Sequence, residues 1–453
     1  MAAPAPGRFT TGPMMRHVAV MTAAGSAGLS FLFLVDFTTL FFISLLGDET
    51  LTAGVGFAWA VQFVTLSVSI GFSIASMALV SRSIGARRRE EARAQASAAL
   101  VITVATLLVA STLVILFRVP LLRMAGAEGE AAAVAAEFLV VSVPSLPFVG
   151  LSMGSASILR ADGEARRSMM VTMTGGAIAL AVTPVLIFTL GMGANGAALA
   201  MVLSRMGSAG VGIRFCIGRG LLARPSPQTT RAALSPYFAI AGPAILTQLS
   251  TPFANLLITW RVSDFSDSAV AGWAVASRLT VLAFGGIFAL SSAIGGIIGQ
   301  NYGARLYDRV AAAYRDSLIF AGCYVVVVWA LLAVLAPVIV GGFGASADGA
   351  SVIYAFCYVG AGGFMFNAAL FVASAAFNNL GRPLWSTGFN WARDAALIPL
   401  GLALIPASLG GPGVVYAQAV AGVLSGVVAI LVGWRLCHGL ARRQPLAKPG
   451  GFD

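Results

Sequence analysis

The sequence has few of the residues on which most enzymes and metal sites depend. Only 10% of its 453 residues are charged, and its two histidines, His17 and His438, lie at opposite ends of the chain. Because a soluble domain carries roughly 25% charged residues, the composition excludes an ordinary soluble protein. Histidines this far apart in sequence argue against the usual zinc sites and general-base groups. We therefore predict a protein that is not an enzyme and that has no metal site and no cofactor.

Other absences narrow the function further. The four cysteines, Cys216, Cys323, Cys357 and Cys437, lie far apart in or beside apolar runs, without metal-ligand spacing or a disulfide framework, and we interpret them as structural. No G-x-x-x-x-G-K-[ST] motif is present to hold ATP phosphates, so the sequence gives no indication of ATP hydrolysis. No cleavable signal peptide is evident, because the first apolar segment is too long for one.

Apolar residues are abundant, at 58% of the chain. The apolar runs are long enough for the roughly 20-residue helix that crosses a bilayer, and unbroken runs favour helices over a barrel. We predict an all-α polytopic membrane protein with twelve transmembrane helices, near residues 18–45, 51–80, 95–117, 131–158, 168–191, 195–216, 236–260, 269–299, 317–342, 351–378, 385–407 and 413–434.

The basic residues predict an orientation, because short loops rich in Lys and Arg stay in the cytoplasm. With both termini cytoplasmic, most of the 28 Lys and Arg residues lie in cytoplasmic loops or tails, and only Arg118, Arg123 and Arg261 lie outside. The net charge of +11 then reports topology and attraction to anionic lipid, and needs no nucleic acid. We expect an integral protein of a bacterial-type inner (plasma) membrane.

The two halves of the chain repeat each other. Gly85, Ala86 and Arg87 follow the second predicted span, and the same three residue types, beginning at Gly303, follow the eighth span. The same separation in sequence relates Gly163 to Gly381, after the fourth and tenth spans. Because each half has six spans, an even number, both halves begin on the same side and are parallel repeats.

The repeat predicts three parts. Residues 1–216 form an N-terminal six-helix lobe, residues 217–235 a cytoplasmic linker, and residues 236–453 a C-terminal six-helix lobe with a cytoplasmic tail. Two equal bundles facing each other predict a central cleft. The linker sequence, IGRGLLARPSPQTTRAALS, contains three arginines and two prolines and is a poor helix by pattern.

Asp36 is the most informative residue inside a predicted span. It lies in FLFLVDFTTLFF, where an ionised carboxylate costs about 2.5 to 3.5 kcal/mol at a bilayer centre. A carboxylate kept at such a position is typical of a transport path or a proton relay. We predict that Asp36 exchanges a proton near neutral pH; the alternative is a structural carboxylate bonded to neighbouring hydroxyl groups.

The other charged residues in spans have structural alternatives. Glu137 begins its span and is expected to reach the outer surface. Arg393 and Asp394 are neighbours whose side chains leave a helix about 100° apart, so we expect no direct pair and a separate partner for each, in a structural network or at the substrate. For Arg205 and Arg278 packing or snorkelling is the expected role.

Uncharged polar residues within spans complete the candidate site. They either line the cleft or bond across helices. These candidate contacts are Thr39, Gln62, Gln248 and Asn255, beside Arg393 and Asp394.

Several stretches, in this order, resemble the multidrug and toxic compound extrusion (MATE) family: LVDFTTLFFISLLG, LVSRSIGA, ILRADGEARRS, IGQNYGARLYDRV and AFNNLGRPL. The resemblance implies two six-helix lobes around a cleft that opens alternately to either side, and cation-coupled export of organic, often cationic, compounds. It implies a role for Asp36 in coupling to H⁺ or Na⁺, and Arg393 fits a position where many similar members carry arginine.

The chain departs from similar proteins in the fifth span. Thr183 stands before Pro184 where an Asp is frequent, and Ala179 stands where an Asn is common. The first half of span one, VMTAAG, lacks the usual proline. Since one acid suffices for a proton whereas Na⁺ prefers several oxygen ligands, these departures favour H⁺ as the coupling ion, with Na⁺ as the alternative.

We therefore expect a monomeric secondary antiporter that exports a small lipophilic cation in exchange for H⁺ by alternating access. A lipid-linked oligosaccharide flippase of the same superfamily is an alternative, but it would need several cations in the cleft to bind a pyrophosphate. A membrane-embedded enzyme lacks catalytic clusters, and a passive channel fits a two-lobe repeat poorly.

Overall fold

The structure is a computed structural model that describes residues 6–46 and 49–442, except for the side chains of Asp36, Leu40, Ser44, Glu49 and Ala407. All secondary structure in these residues is helical. The α-helices are α1 (Met14–Ser44), α2 (Glu49–Gly85), α3 (Arg89–Leu116), α4 (Arg118–Met124), α5 (Gly129–Ser142), α6 (Leu146–Ala161), α7 (Ala165–Pro184), α8 (Gly193–Gly218), α9 (Pro227–Ser263), α10 (Asp267–Ala283), α11 (Gly285–Gly303), α12 (Tyr307–Gly342), α13 (Ala347–Ala355), α14 (Ala361–Asn379), α15 (Pro383–Trp391), α16 (Ile398–Leu404) and α17 (Gly410–Arg442).

Short segments of other helix types interrupt or precede these helices. The 3₁₀ turns are Arg8–Thr10, Val143–Ser145 and Ala407–Leu409. The π-helical segments are Val185–Thr189, Phe356–Gly360 and Ala392–Leu397. Such π segments are often found at functional sites, because the wider turn changes which side chains come together.

The predicted membrane spans have helical counterparts. In the described part of the chain, ten helical segments are long and apolar enough to cross a membrane, and α10 with α11, bent by 45° at their junction, make an eleventh. The remaining predicted span, the eleventh in sequence, is the continuous helical stretch 383–404, which contains α15, the π segment Ala392–Leu397 and α16. The all-α polytopic prediction is confirmed.

Large apolar side chains face outward along these spans, as expected for helices surrounded by lipid. On α12, Leu331, Val334 and Val338 are exposed, and on α17 Leu424 and Leu431 are exposed. In a water-soluble protein such contiguous apolar surface would promote aggregation. Here it matches the apolar surface that a bilayer covers.

Contacts within the chain group it into two compact units. Unit 1 comprises residues 1–22, 81–88 and 250–453, and unit 2 comprises residues 23–80 and 89–249. Each unit therefore contains most of one sequence half together with short pieces of the other.

The core of unit 2 lies between its helices and is rich in small residues. One cluster joins α2, α5 and α8 through residues such as Ala58, Phe138 and Ala197. A second cluster joins Phe72 of α2 to Tyr237 of α9, whose rings stack with centroids 5.8 Å apart. Because lipid is as apolar as leucine, close packing rather than hydrophobic exclusion holds such helices together.

The backbone conformations of the two halves confirm the repeat. In the described residues the only non-glycine residues with positive φ are Arg87 at 60° and Arg305 at 58°, which occupy equivalent positions in the two halves. Gly163 and Gly381, the second equivalent pair, have φ of 84° and 81°. The left-handed conformation costs an arginine about 1 to 2 kcal/mol, so the same exception in both halves reflects the same turn.

The predicted linker 217–235 is helical over much of its length. α8 continues to Gly218 and α9 begins at Pro227, so only residues 219–226 lie between helices. Proline breaks a helix in its interior but is well suited to the first helical position, where its missing N–H is not needed. The pattern that indicated a poor helix therefore marks a helix start.

Candidate functional site

The first span carries Asp36, whose side chain lies outside the described residues. Its neighbour Val35 is buried, and Gly176 of α7 lies so close that a Cβ built there would be 2.9 Å from Val35. Ala179 and Thr183, both buried, follow Gly176 by three and seven residues and share its face of α7. The two positions at which this chain departs from similar proteins therefore lie on the α7 face that packs against α1.

Gln62 is part of a largely buried hydrogen-bond network in unit 2. Arg205 of α8 donates from Nη2 to Gln62 Oε1 at 2.7 Å, and Gln62 donates from Nε2 to Ser142 Oγ at 3.1 Å. Arg205 Nη1 also donates to Ser145 Oγ at 2.8 Å and to the Ser142 carbonyl at 3.2 Å. The network thus joins α2, the junction of α5 and α6, and α8.

The sequence of the fourth span explains why its backbone carbonyls accept hydrogen bonds from other helices. Pro144 and Pro147 lack N–H groups, so the chain forms the 3₁₀ turn Val143–Ser145 between α5 and α6 instead of a continuous helix. The Val143 carbonyl then accepts a hydrogen bond from Ser111 Oγ of α3 at 3.0 Å. A proline-interrupted span therefore presents its acceptors to neighbouring helices, including the Ser142 carbonyl that receives Arg205.

Arg393 and Asp394 form a second network, in unit 1. Asp394 is fully buried, and Arg393 donates from Nε and Nη2 to its two carboxylate oxygens at 2.6 and 2.8 Å. Arg393 Nη1 donates to Asn367 Oδ1 of α14 at 3.1 Å. Gly422 of α17 packs on Asn367, and a Cβ there would lie 3.1 Å from its amide.

The prediction that Arg393 and Asp394 do not pair directly is wrong. The rule concerns the directions in which Cβ atoms leave a helix, but an arginine side chain is long enough to curl back over its neighbour. The regular helix α12 shows the same arrangement, since Arg315 donates from Nη2 to Asp316 Oδ1 at 2.8 Å. The pair also lies in the π segment Ala392–Leu397, whose wider turn alters the angle between successive side chains.

The other predicted residues take no part in these networks in the described structure. Thr39 and Gln248 are half-buried, and Asn255 is exposed. Glu137 and Arg278 are exposed, and their expected positions relative to the bilayer stay predictions. The roles of Thr39, Gln248 and Asn255 as cleft residues stay predictions too.

Arg205 makes more specific contacts than we expected from the sequence. We expected packing or snorkelling, but Arg205 lies well inside α8 and bonds three polar residues of unit 2. Charged side chains within spans usually face a bundle interior or a water-filled cavity. The sequence signal that could have found this contact is SVPSLP, in which two prolines interrupt an apolar run.

Within the described residues, no group of three or more His, Cys, Asp or Glu side chains is placed to hold a metal ion.

The MatE family model matches the chain twice, over residues 26–185 and again over residues 243–401. The chain belongs to the MATE family. One match falls in each half of the chain, which agrees with the internal repeat. MATE proteins are transporters, so this integral membrane protein is a transporter and not an enzyme.

Two curated relatives match over most of the chain. A Shewanella oneidensis protein described as an FAD transporter is 26% identical over 434 residues, 94% of this chain and 96% of its own length. The multidrug export protein MepA of Staphylococcus aureus is 22% identical over 404 residues, 87% of each chain.

A solved structure supports the MATE fold. The Vibrio cholerae MATE transporter VcmN in its bent form superimposes with a TM-score of 0.88 at 21% identity, covering 95% of this chain and 98% of that chain. The predicted all-α, twelve-helix bilobed class is therefore the fold of this protein.

Proposed function

We propose that this MATE transporter is a secondary antiporter that exports lipophilic, cationic organic compounds in exchange for H⁺ by alternating access. The observation that carries the proposal is Asp36, an acid placed by the sequence well inside α1. A carboxylate that is neutral in one state and charged in another lets proton and substrate favour different conformations. The similarity to the multidrug export protein MepA supports organic compounds as substrates.

Proton coupling is favoured over sodium coupling by the α7 residues on the face that packs against α1. Thr183 is buried and supplies a hydroxyl where similar proteins often have a carboxylate. A proton needs one acid, whereas Na⁺ needs several oxygen ligands. The proton gradient drives a one-for-one exchange of H⁺ for a monovalent cation, and the membrane potential adds about 2.3 kcal/mol per 100 mV for each further proton that enters.

The proposed placement follows the basic residues. Both termini and the turns after α2 and α11 lie in the cytoplasm, and the protein is a monomer of a bacterial-type inner membrane. Loops rich in arginine support this orientation.

A second candidate function is export of an anionic nucleotide-like compound. Its specific support is the pair of arginines held inside spans, Arg205 and Arg393, together with the similarity to the Shewanella oneidensis FAD transporter. The arginines belong to separate networks, and the carboxylate of Asp394 neutralises Arg393, so a lipid-linked pyrophosphate of a flippase has less support.

Transport by purified protein in proteoliposomes tests these alternatives. The vesicles carry either a proton gradient or a sodium gradient at fixed potential, and uptake of a fluorescent lipophilic cation and of FAD is measured. We expect the proton gradient alone to drive movement of the cation. Movement driven only by sodium would refute proton coupling, and movement of FAD without the cation would favour the second candidate.

Asp36→Asn tests the coupling residue, because asparagine has nearly the same shape and does not titrate. We expect a folded protein that no longer couples export to protons. Asp308→Asn, which neutralises an exposed acid at the start of α12, is the matched control and should keep coupled export. Retained proton-driven export in Asp36→Asn would refute the assignment.

A further inference from the structure

The segment before α1 packs on the ends of α11 and α12. Phe9 is 2% exposed and lies in the 3₁₀ turn Arg8–Thr10. Its backbone N–H donates to Gln300 Oε1 at 2.9 Å, and its carbonyl accepts hydrogen bonds from Asn301 Nδ2 at 3.1 Å and Arg309 Nη2 at 2.9 Å. Both backbone groups of a buried phenylalanine are therefore bonded by side chains of unit 1.

The groups that hold this segment are themselves fixed. Gln300 and Asn301 are fully buried. Asn301 also donates to the Ile297 carbonyl at 2.8 Å and accepts from Arg309 Nε at 3.1 Å. Separating the segment from this site would leave several of these polar groups without a hydrogen-bond partner. That separation is costly, because a buried polar group left unbonded is unfavourable.

Further contacts extend the site along residues 7–12. A Cβ on Gly7 would lie 2.5 Å from Gln300 Oε1, so the chain approaches this side chain closely. The Gly12 carbonyl accepts from Arg309 Nη2 at 3.1 Å. The Phe9 ring packs edge-on against His17 of α1, with centroids 5.4 Å apart. We call residues 7–12 the N-terminal latch.

Gln300 also belongs to a tight crossing of two helix ends. A Cβ on Gly85 at the end of α2 would overlap the main chain of Gln300, and a Cβ on Gly303 at the end of α11 would overlap the main chain of Arg82. Gln300 is the repeat counterpart of Arg82, as Gly303 is of Gly85, so the crossing is reciprocal between the repeats. Both ends lie in unit 1.

Arg82 and Gln300 hold the crossing in different ways. Arg82 donates from Nε and Nη2 to the carbonyls of Asn379 and Asn378 at the end of α14, at 2.9 and 3.0 Å. Gln300 instead holds the latch. The crossing is therefore secured on one side by α14 and on the other by residues 7–12.

We propose that the N-terminal latch locks the crossing of α2 and α11, and that this end of the transporter opens only after the latch is released. The inference rests on the proposed alternating access, in which α2 and α11, which belong to different repeats, separate when the cytoplasmic side opens. The latch bonds Gln300 and Asn301 of α11 and also lies against α2, since a Cβ on Gly7 would be 3.5 Å from Ile84 Cγ2. Because it contacts both helices only while they lie together, it stabilises the closed arrangement over the open one.

Cysteine labelling of the crossing tests the latch without any transport measurement. Ser81 is fully buried with its hydroxyl against Gly299, so Ser81→Cys, with the exposed Cys323 changed to Ser, reports opening by its rate of reaction with a water-soluble maleimide. Phe9→Ala, and separately Arg309→Gln, should raise this rate roughly tenfold, a change of about 1.4 kcal/mol in the opening equilibrium.

Phe343→Ala removes an exposed phenylalanine at the end of α12 and is the matched control, which should label at the parental rate. Equal rates in the parent, Phe9→Ala and Arg309→Gln would overturn the proposal. So would a parallel rise at the buried Cys216, Cys357 and Cys437, because that reports general unfolding. If Phe9→Ala and Arg309→Gln label faster but the parent shows no proton-driven export, the proposed function is refuted and the latch stands. If the parent shows proton-driven export but neither variant labels faster, the latch alone is refuted.

Discussion

At the scale of single residues, Arg205 and Arg393 show how a charge is accommodated inside a span. Arg205 donates hydrogen bonds to Gln62, Ser142 and Ser145, which lie on different elements. Arg393 bonds both carboxylate oxygens of Asp394 and the amide of Asn367. The planar guanidinium has five N–H donors in a fixed fork, and lysine has no equivalent geometry.

Arg205→Lys should therefore destabilise the protein although it keeps the charge. A single ammonium cannot reach Gln62 Oε1 and Ser145 Oγ in the same geometry, and an unmade buried hydrogen bond costs about 1 to 3 kcal/mol. Denaturant unfolding of the purified protein in one detergent measures the loss. Arg231→Lys, at an exposed site near the start of α9, should change stability by less than about 0.5 kcal/mol. Equal stability of both variants would contradict this role of Arg205.

Asp394→Asn should be more damaging. It leaves the buried Arg393 guanidinium with neutral partners, and breaking a buried pair from one side costs about 3 to 5 kcal/mol. The matched control is Asp316→Asn, because the Arg315 side chain is 57% exposed, against 9% for Arg393. That loss should be about 1 kcal/mol or less, since water solvates Arg315. Unfolding measurements that rank the two variants the other way would show that the Arg393 pair is dispensable.

At the scale of helices, glycine sets how closely the spans approach. A Cβ on Gly426 of α17 would overlap the main chain of Phe366 on α14, whereas Gly322 of α12 has no atom within 4 Å of that position. The first glycine allows two backbones to touch, and the second faces open space. Small residues at such crossings are typical of helices packed in membranes.

Alanine at these two positions should change stability in opposite directions. Gly426→Ala forces α14 and α17 apart and should cost about 1 to 3 kcal/mol, as for an overpacked core. Gly322→Ala meets nothing and restricts the unfolded chain, so it should gain about 0.4 to 1 kcal/mol. Thermal unfolding of both proteins in the same detergent checks the sign of each change. A stabilised Gly426→Ala would mean that α14 and α17 do not touch there, and a destabilised Gly322→Ala would mean that its position is not open.

The helices themselves could be predicted from sequence, whereas most long-range contacts between them could not. Apolar runs of span length identify helices wherever they occur, and GAR after the second and eighth spans reveals the repeat. The Arg393 and Asp394 pair was missed because spacing rules describe Cβ directions and ignore the reach of arginine. The contacts of Arg205 with Gln62 and of Phe9 with Gln300 were missed because they join residues 143 and 291 positions apart. The prolines of SVPSLP mark the interruption that receives Arg205, but they do not identify Arg205 as its partner.

At the scale of the whole molecule, the distribution of arginine fixes an expected orientation in the membrane. Arg88 is exposed in the turn after α2, on the side predicted to be cytoplasmic. Asp264 is exposed after α9, on the side predicted to be external, where it accepts from Arg261 at 2.7 Å.

Labelling of intact cells checks this orientation. In a protein with Cys323 changed to Ser, an impermeant maleimide should modify Asp264→Cys and spare Arg88→Cys. Permeabilised cells should label both, which controls for accessibility. Labelling of position 88 alone in intact cells would reverse the orientation and, with it, the proposed direction of export.

The left-handed arginines also bear on the origin of the molecule. Glycine would adopt the conformation of Arg87 and Arg305 without strain, yet both halves keep an arginine at that turn. Two independent sequences would have little reason to share this exception, whereas duplication and fusion of one ancestral gene would produce it directly. Since six spans return the chain to its starting side, the ancestor could insert as two identical copies in the same orientation. After fusion the copies were free to diverge, and they now differ at this position: Arg82 bonds the end of α14, whereas Gln300 bonds the segment before α1.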